Sequence, residues 1–228
     1  MSSISIVVPV LNDAPALRQL FDDLDAIAPM NAQRIIVDGG SDDGSYEIAR
    51  SRADVVLQSA RGRARQLIAG CGAASCEWIW MVHADARVDR SAWRALEDAV
   101  SQDGAAWGRF DVRLDDPRPV FRVIESLMNV RSRWSSICTG DQGIFVRRDL
   151  LELIDGIPDQ PLMEDIELTK RLRRYARPIC LTACIGTSAR RWQTRGIVAT
   201  VLLMWRLRLQ YFLGTSPEVL AREYYDDN

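Results

Sequence analysis

Apolar positions in the first half of the chain switch between a strand period and a helix period in a regular way. Ile4 to Val10 is a compact apolar run that predicts a strand ending near Pro9, and Leu17, Leu20, Phe21, Leu24 and Ile27 then recur at helical spacing. Arg34 to Val37 predicts a short buried strand, stopped by Asp38-Gly39-Gly40, with a helix from about Asp43 to Arg50 and a third strand over Asp54 to Leu57. Ala64, Leu67, Ile68 and Cys71 stand at i, i+3, i+4 and i+7, a third helix. Trp78 to Val82 is a fourth strand, apolar at every position as expected when both faces are covered, and Trp93, Leu96 and Val100 mark a fourth helix.

Alternating strands and helices imply an α/β fold with a doubly wound, mostly parallel sheet. Such sheets bind ligands outside the carboxyl ends of their strands, near the switch in strand order. The polar residues at those ends are Asn12 and Asp13, Asp38, and His83 with Asp85. The second half is less regular. Trp107 to Leu114 and Gly143 to Arg147 read as strands; Pro119 to Trp134, Asp165 to Tyr175 and a C-terminal segment from Gly196 to Leu213 read as helices. With no repeat, low-complexity tract or clear linker, one domain is expected over 1–228, made of a regular half at 1–103 and a less regular half at 104–228.

Charge and composition narrow the chemistry. The formal net charge of -2 supplies no global basic field for gripping nucleic acid. Lys170 is the single lysine among 29 basic residues, which fits either anion recognition by guanidinium groups or a genome-wide codon preference. The five cysteines form no Cys-x-x-Cys pair, so buried thiols in a reducing cytosol are expected rather than disulfides or a zinc site. Met1 to Val10 is too short and uncharged for a signal peptide. The apolar run from Ile197 to Trp205 is cut off by Arg206 and Arg208 and is too short to span a bilayer; the helix it begins either packs on the core or lies on a membrane surface as a peripheral contact.

Five motifs carry candidate chemistry. Val7-Val8-Pro9-Val10-Leu11-Asn12-Asp13 stands with Asp38-Gly39-Gly40-Ser41-Asp42-Asp43-Gly44-Ser45; Asp38 there can accept from a nucleobase or ribose, or simply belong to a capped turn. Arg61-Gly62-Arg63-Ala64-Arg65-Gln66 brings basic side chains and free amides to a helix N-terminus, an anion site suited to a diphosphate. His83-Ala84-Asp85 follows an apolar strand. Magnesium and manganese take oxygen ligands and often use one or two carboxylates plus substrate phosphates, which suits Asp85; His83 is either a second ligand, favouring manganese, or a backbone hydrogen-bond partner. Thr139-Gly140-Asp141-Gln142-Gly143 precedes Met163-Glu164-Asp165, where the helix dipole favours ionised carboxylates fit for a general base. Finally, Arg190, Arg191 and Trp192 fit a diphosphate clamp with stacking, or a structural tryptophan.

Taken in order, VPVLND, VDGGSDDGS, RGRARQ, HADA, GDQG and MEDIEL resemble glycosyltransferase family 2, the inverting GT-A enzymes, over nearly the whole chain. HADARVD, GDQGIFVRR, PLMEDIEL and SARRW resemble a narrower subgroup associated with arsenosugar biosynthesis. The resemblance implies a GT-A, Rossmann-like sheet with a C-terminal helical segment. It implies nucleoside contacts at Pro9, Val10, Asn12 and Asp38, and an arginine at Arg65 with Arg61 nearby. It implies a DxD-type metal motif at His83-Ala84-Asp85, whose first carboxylate is replaced, and a base at Asp165 supported by Glu164. The basic-aromatic motif falls on Arg190, Arg191 and Trp192. The implied reaction is a cytoplasmic, metal-dependent displacement that moves a hexosyl or related group from a nucleotide-diphosphate sugar to a small-molecule or lipid-linked hydroxyl. Two rivals stand beside it. A nucleotidylyltransferase normally carries a glycine-rich loop where this chain has Leu11-Asn12-Asp13; a non-catalytic nucleotide-sugar binding protein has no need of Asp85, Glu164 and Asp165 together.

Overall fold

The computed structural model describes residues 3–27, 32–190 and 196–226. Its first half alternates β1 (Ile4–Val10), α1 (Ala14–Ile27), β2 (Gln33–Asp38), α2 (Ser45–Arg52), β3 (Val55–Gln58), α3 (Arg63–Gly72), β4 (Trp78–Met81) and α4 (Arg90–Val100). The second half runs β5 (Trp107–Leu114), α5 (Pro119–Ser135), a 3-10 turn (Gly140–Gln142), β6 (Phe145–Arg147), α6 (Arg148–Leu153), α7 (Glu164–Leu172), β7 (Ile179–Thr187), α8 (Ile197–Phe212) and α9 (Pro217–Asp226).

All seven strands join one sheet in the order β3-β2-β1-β4-β6-β5-β7. β1 pairs in parallel with β2 on one side and β4 on the other; β6 runs antiparallel to both β4 and β5, and β7 is parallel to β5. The chain therefore builds outward from β1 to β3, then crosses back over β1 to lay down β4. The gap at the carboxyl ends of β1 and β4 is the switch point at which such sheets hold ligands.

The strand period explains why β1, Ser5 apart, and β4 are apolar. Ile4, Ile6, Val8 and Val10 face one core with Trp78, Trp80 and Val82, against Leu17 and Leu24 of α1 and Trp93 and Leu96 of α4. The alternate residues, Val7, Ile79 and Met81, face a second core built on Leu67 of α3 and Leu168 and Leu172 of α7. Both faces are covered, so neither strand needs a polar side.

α3 lies unusually close to the sheet because Gly70 faces it. A β-carbon at position 70 would overlap Val7 Cγ1 and fall 2.9 Å from Val37 Cγ2. One turn earlier the fully engaged Gln66 side chain donates from Nε2 to Val10 O at 2.7 Å and Val37 O at 2.8 Å. Gly70 thus lets α3 approach, and Gln66 bridges the last carbonyls of β1 and β2.

Three elements lie outside the sequence expectation: α6, β7 and α9. β7 is an edge strand in which Cys180, Thr182 and Cys184 break any apolar alternation, and its pairing slips so that Arg109 faces Cys180 while Asp111 faces Cys184. Those extra residues on β7 form a bulge that erases the period of two. Among the described residues, no helix is long and apolar enough to cross a membrane.

Gly70→Ala is predicted to cost about 1–3 kcal/mol through overpacking against Val7 and Val37. Urea unfolding measures it, and a loss below about 0.5 kcal/mol would show that α3 can back away from the sheet freely.

Candidate active site

The rim begins with two cross-linked loops. Asn12, just past β1, adopts a left-handed φ of 51°, which asparagine tolerates well. Its N–H donates to Ser41 Oγ at 2.9 Å, and its Oδ1 accepts from Asp42 N at 2.9 Å. Ala14 N donates to Asp43 Oδ2 at 2.8 Å, and Ser45 Oγ to Asp43 Oδ1 at 2.6 Å. The Ser45 hydroxyl and these amides hold the Asp43 carboxyl below the usual carboxylate range. The VPVLND and VDGGSDDGS motifs are thus one folded unit.

Asp38 ends β2 opposite Val10 and is fully buried. Its carboxylate accepts from Gly40 N at 3.1 Å and Ser41 N at 3.1 Å, so it holds its own turn. Val10 contributes through its backbone, accepting from Gly39 N at 2.9 Å as well as from Gln66. Pro9 is half-buried beside Val37. The strand order β2-β1-β4 sets Asp38, Asn12 and Asp85 on successive strand ends, about 5 Å apart per strand.

The arginine cluster divides by helical geometry. Arg61 and Arg65 are exposed, and Arg65 Nε lies 3.9 Å from Asp159 Oδ1. Arg63 turns inward: its Nη1 lies 3.1 Å from Glu164 Oε1 and 3.9 Å from Asp165 Oδ2. Residues two apart on a helix point to nearly opposite sides, so Arg63 and Arg65 cannot share one site. The sequence reading settled on Arg61 and Arg65; the arginine that meets the acidic pair is Arg63. The signal was present, since Arg63, Gln66, Leu67 and Gly70 are spaced i, i+3, i+4, i+7 along the inner face.

Gly140 makes the meeting possible. A β-carbon there would overlap the Arg63 guanidinium and fall 2.7 Å from His83 Nε2. His83 therefore points at the same spot as a guanidinium cation. The Gly140 N–H donates to Asp165 Oδ2 at 2.8 Å. The turn that carries Gly140 is stapled by the buried Gln142, whose Oε1 accepts from Thr139 N at 3.2 Å and whose Nε2 donates to Ser132 Oγ at 3.0 Å.

Glu164 and Asp165 open α7 directly after Met163, whose φ is 64°. Both are largely buried. Burial, then the neighbouring Glu164 charge, push the Asp165 carboxyl up to about 6, against the opposing pull of Arg63 and the Gly140 amide. The helix dipole was expected to favour the ionised form; desolvation and the adjacent carboxylate outweigh it here.

Asp85 is half-buried at the mouth beyond β4. Burial raises its pKa, and Asp13 and Asp141 raise it further, while the Ser188 amide opposes. Ser188 is brought over by a bridge in which Arg87 N donates to Gly186 O at 2.9 Å and Gly186 N to Arg87 O at 3.0 Å. Arg190 Nη1 then lies 3.9 Å from Asp13 Oδ1. Arg191 and Trp192 lie outside the described residues. Asp141, named by no site prediction, acts on both Asp85 and Asp165 and so links the two acidic centres. Arg131 of α5 also feels Asp141 and Asp165, although burial lowers its pKa.

Comparison with known proteins follows this geometry. The model of "Glycosyl transferase family 2" matches residues 5–154. Succinoglycan biosynthesis protein ExoA from Rhizobium meliloti (strain 1021) is 47% identical over 49 residues, which are 21% of this chain and 15% of that protein. S. aureus TarS 1-349 in complex with UDP-GlcNAc superposes with a TM-score of 0.67 at 17% identity, over 82% of this chain and 58% of that one. Mannosyltransferase PcManGT from Pyrobaculum calidifontis, in complex with GDP-Man and Mn2+, gives a TM-score of 0.64 at 20% identity, over 97% and 69%. Glucosyl-3-phosphoglycerate synthase from Mycobacterium tuberculosis, with Mn2+, UDP and glucosyl-3-phosphoglycerate, gives 0.60 at 17%, over 82% and 71%. At these identities the structural likeness establishes the fold: a GT-A, Rossmann-like α/β architecture. The chain thus spans little more than half of the TarS segment, and its match to ExoA is a short stretch.

Arg63 is the cation that most strongly opposes the upward shift of Asp165. Arg63→Gln is therefore predicted to raise the Asp165 carboxyl further above about 6. Carbon-13 NMR titration of the side-chain carboxyl measures it; an unchanged or lowered midpoint would break the claimed coupling.

Proposed function

The chain belongs to glycosyl transferase family 2, and from that premise we propose that it transfers a hexosyl or related group from a nucleoside-diphosphate sugar to an acceptor hydroxyl, with inversion. The observation that carries the reading is the Glu164–Asp165 pair, joined across Gly140 to Arg63 and facing the Asp85 centre through Asp141.

In this reading the nucleoside lies along Pro9, Val10, Asn12 and Asp38, at the carboxyl ends of β1 and β2. The diphosphate reaches the mouth of the cleft near Asp85 and Arg190, with Arg191 and Trp192 following in the chain. Asp85 fits a divalent cation by its chemistry: Asp13 and Asp141 add negative charge around it, and a magnesium or manganese ion held by Asp85 would draw further oxygen ligands from the substrate and water. Among the described residues no group of three or more His, Cys, Asp or Glu forms a metal cage. His83, turned toward the Arg63 guanidinium, fits this shell poorly, since a second cation there would be repelled. When bound, such a cation neutralises charge on the departing diphosphate.

Asp165 accepts the proton of the acceptor hydroxyl as that oxygen forms a bond to the anomeric carbon. The carbon–oxygen bond to the diphosphate breaks on the opposite face, and the electron pair leaves with the nucleoside diphosphate. Attack from the side opposite the leaving group inverts the centre. Glu164 and Arg63 act as positioning residues: the ion pair fixes the α7 N-terminus, and the Gly140 amide orients Asp165 Oδ2. An acidic group poised at about 6 is ionised at neutral pH yet basic enough to take a proton. The acceptor is a small-molecule or lipid-linked alcohol.

Asp165→Asn is predicted to lower kcat by at least about a hundredfold while donor affinity stays within twofold. In the wild type kcat/KM should be flat at neutral pH and fall about tenfold per pH unit below about 6, because protonated Asp165 cannot accept the proton. Full turnover by the variant, or no acid limb, would reject Asp165 as the base. Asp85→Asn is predicted to remove the manganese-dependent part of the donor's thermal stabilisation; an unaltered manganese response would place the cation elsewhere.

A further inference from the structure

α5 is amphipathic the wrong way round for a helix covered only by its own fold. Its inner side is anchored by polar groups: Glu125 Oε1 accepts from Leu114 N at 2.5 Å, Asn129 Oδ1 accepts from Val112 N at 2.9 Å, and Ser132 bonds Gln142. Its outer side carries Val120, Val123, Leu127, Val130 and Trp134, at helical spacing and between 40 and 94% exposed. α8 repeats the pattern, with Val198, Leu202, Trp205, Leu209 and Phe212 between 56 and 71% exposed. Phe121, Ile124 and Met128 of α5 share one apolar cluster with Ile197 and Val201 of α8, so the two helices lie side by side. Together they present on the order of 1,000 Å² of apolar surface, beyond the roughly 300–600 Å² of a typical monomer's largest patch.

We propose that this paired stripe is a docking surface for an anionic lipid bilayer. Charge selects the occupant. α5 and α8 contain one acidic residue between them, Glu125, and it is buried. Four arginines beside the stripes are paired with carboxylates, and in each of these pairs the arginine is the more exposed partner: Arg118 over Asp116, Arg122 over Glu125, Arg133 over Asp111 and Arg206 over Glu223. A second copy of the chain would set arginine against arginine. Anionic headgroups meet them with opposite sign, while valine, leucine and phenylalanine enter the acyl boundary and Trp134 and Trp205 suit the interface. α8 also packs through Leu207 on Met163 and Ile166, at the N-terminus that carries the acidic pair. The surface therefore borders the acceptor side of the site, which suits an acceptor presented from the bilayer. That consequence for the acceptor rests on the transferase reading; bilayer binding does not.

The test is flotation of the whole chain with vesicles, without donor or metal. Vesicles containing phosphatidylglycerol should carry the wild type upward, and Leu127→Glu/Leu209→Glu should lose roughly tenfold or more in partitioning. Arg94→Glu, at an exposed position of α4, changes net charge by as much as that pair and should float as the wild type does. Should the double variant not fold, brominated acyl chains give a second measurement: they should quench wild-type tryptophan fluorescence, and Trp134→Phe/Trp205→Phe should lose that quenching. Absence of both flotation and quenching in the wild type would overturn the proposal. So would a wild-type dimer, seen by light scattering, that Leu127→Glu/Leu209→Glu splits while no form floats. Activity on a soluble acceptor tests the transferase reading separately.

Discussion

The site depends on how two adjacent buried carboxylates are kept tolerable. Glu164 and Asp165 sit where water is scarce, and the Glu164 charge disfavours ionisation of Asp165. One guanidinium, delivered by α3 from the opposite end of the chain, offsets that repulsion. The contact makes the second half's acidic pair dependent on the first half's helix. Removing either side leaves charge buried without compensation, the costly case for ion pairs. The pair is thus weak evidence for overall stability and strong evidence for a fixed geometry.

The sheet supplies the rest of the frame. Crossing back over β1 to lay down β4 creates the crevice, and the antiparallel β6 returns the chain beside β4 so that Gly140 arrives at its mouth. β7 then runs along β5 and bridges to Arg87, carrying Ser188 to Asp85. Segments far apart in sequence are brought together by strand pairing alone, with small residues at the points of closest approach. Gly70 and Gly140 do the same work at opposite ends of α3.

The first half of the chain was legible because its strands are covered on both faces and its helices on one, so the two periods stand out. The strands and helices from Ile4 to Val100 follow the apolar pattern, except α2, which buries only Ser45 and Ala49. β7 was hidden by its edge position and bulge, and α6 by its brevity. Of the site, Asp85 and the Glu164–Asp165 pair could be read as acids at element ends. Arg63 was missed because the arginine cluster was read as a string rather than around a helix. Asp141 was hidden for another reason: a turn residue's direction depends on the staple made by Thr139 and Gln142, which no period encodes. Arg191 and Trp192 fall outside the described residues.

The Gln66 bridge has a kinetic meaning. By donating to the terminal carbonyls of both β1 and β2, it spends that edge's hydrogen-bonding capacity before any ligand arrives and ties the two strand ends at a set separation. A ligand at these strand ends would meet a rim already in shape, with no strand to pry apart. Capture there would then be governed by encounter frequency and orientation rather than by rearrangement of the two strands.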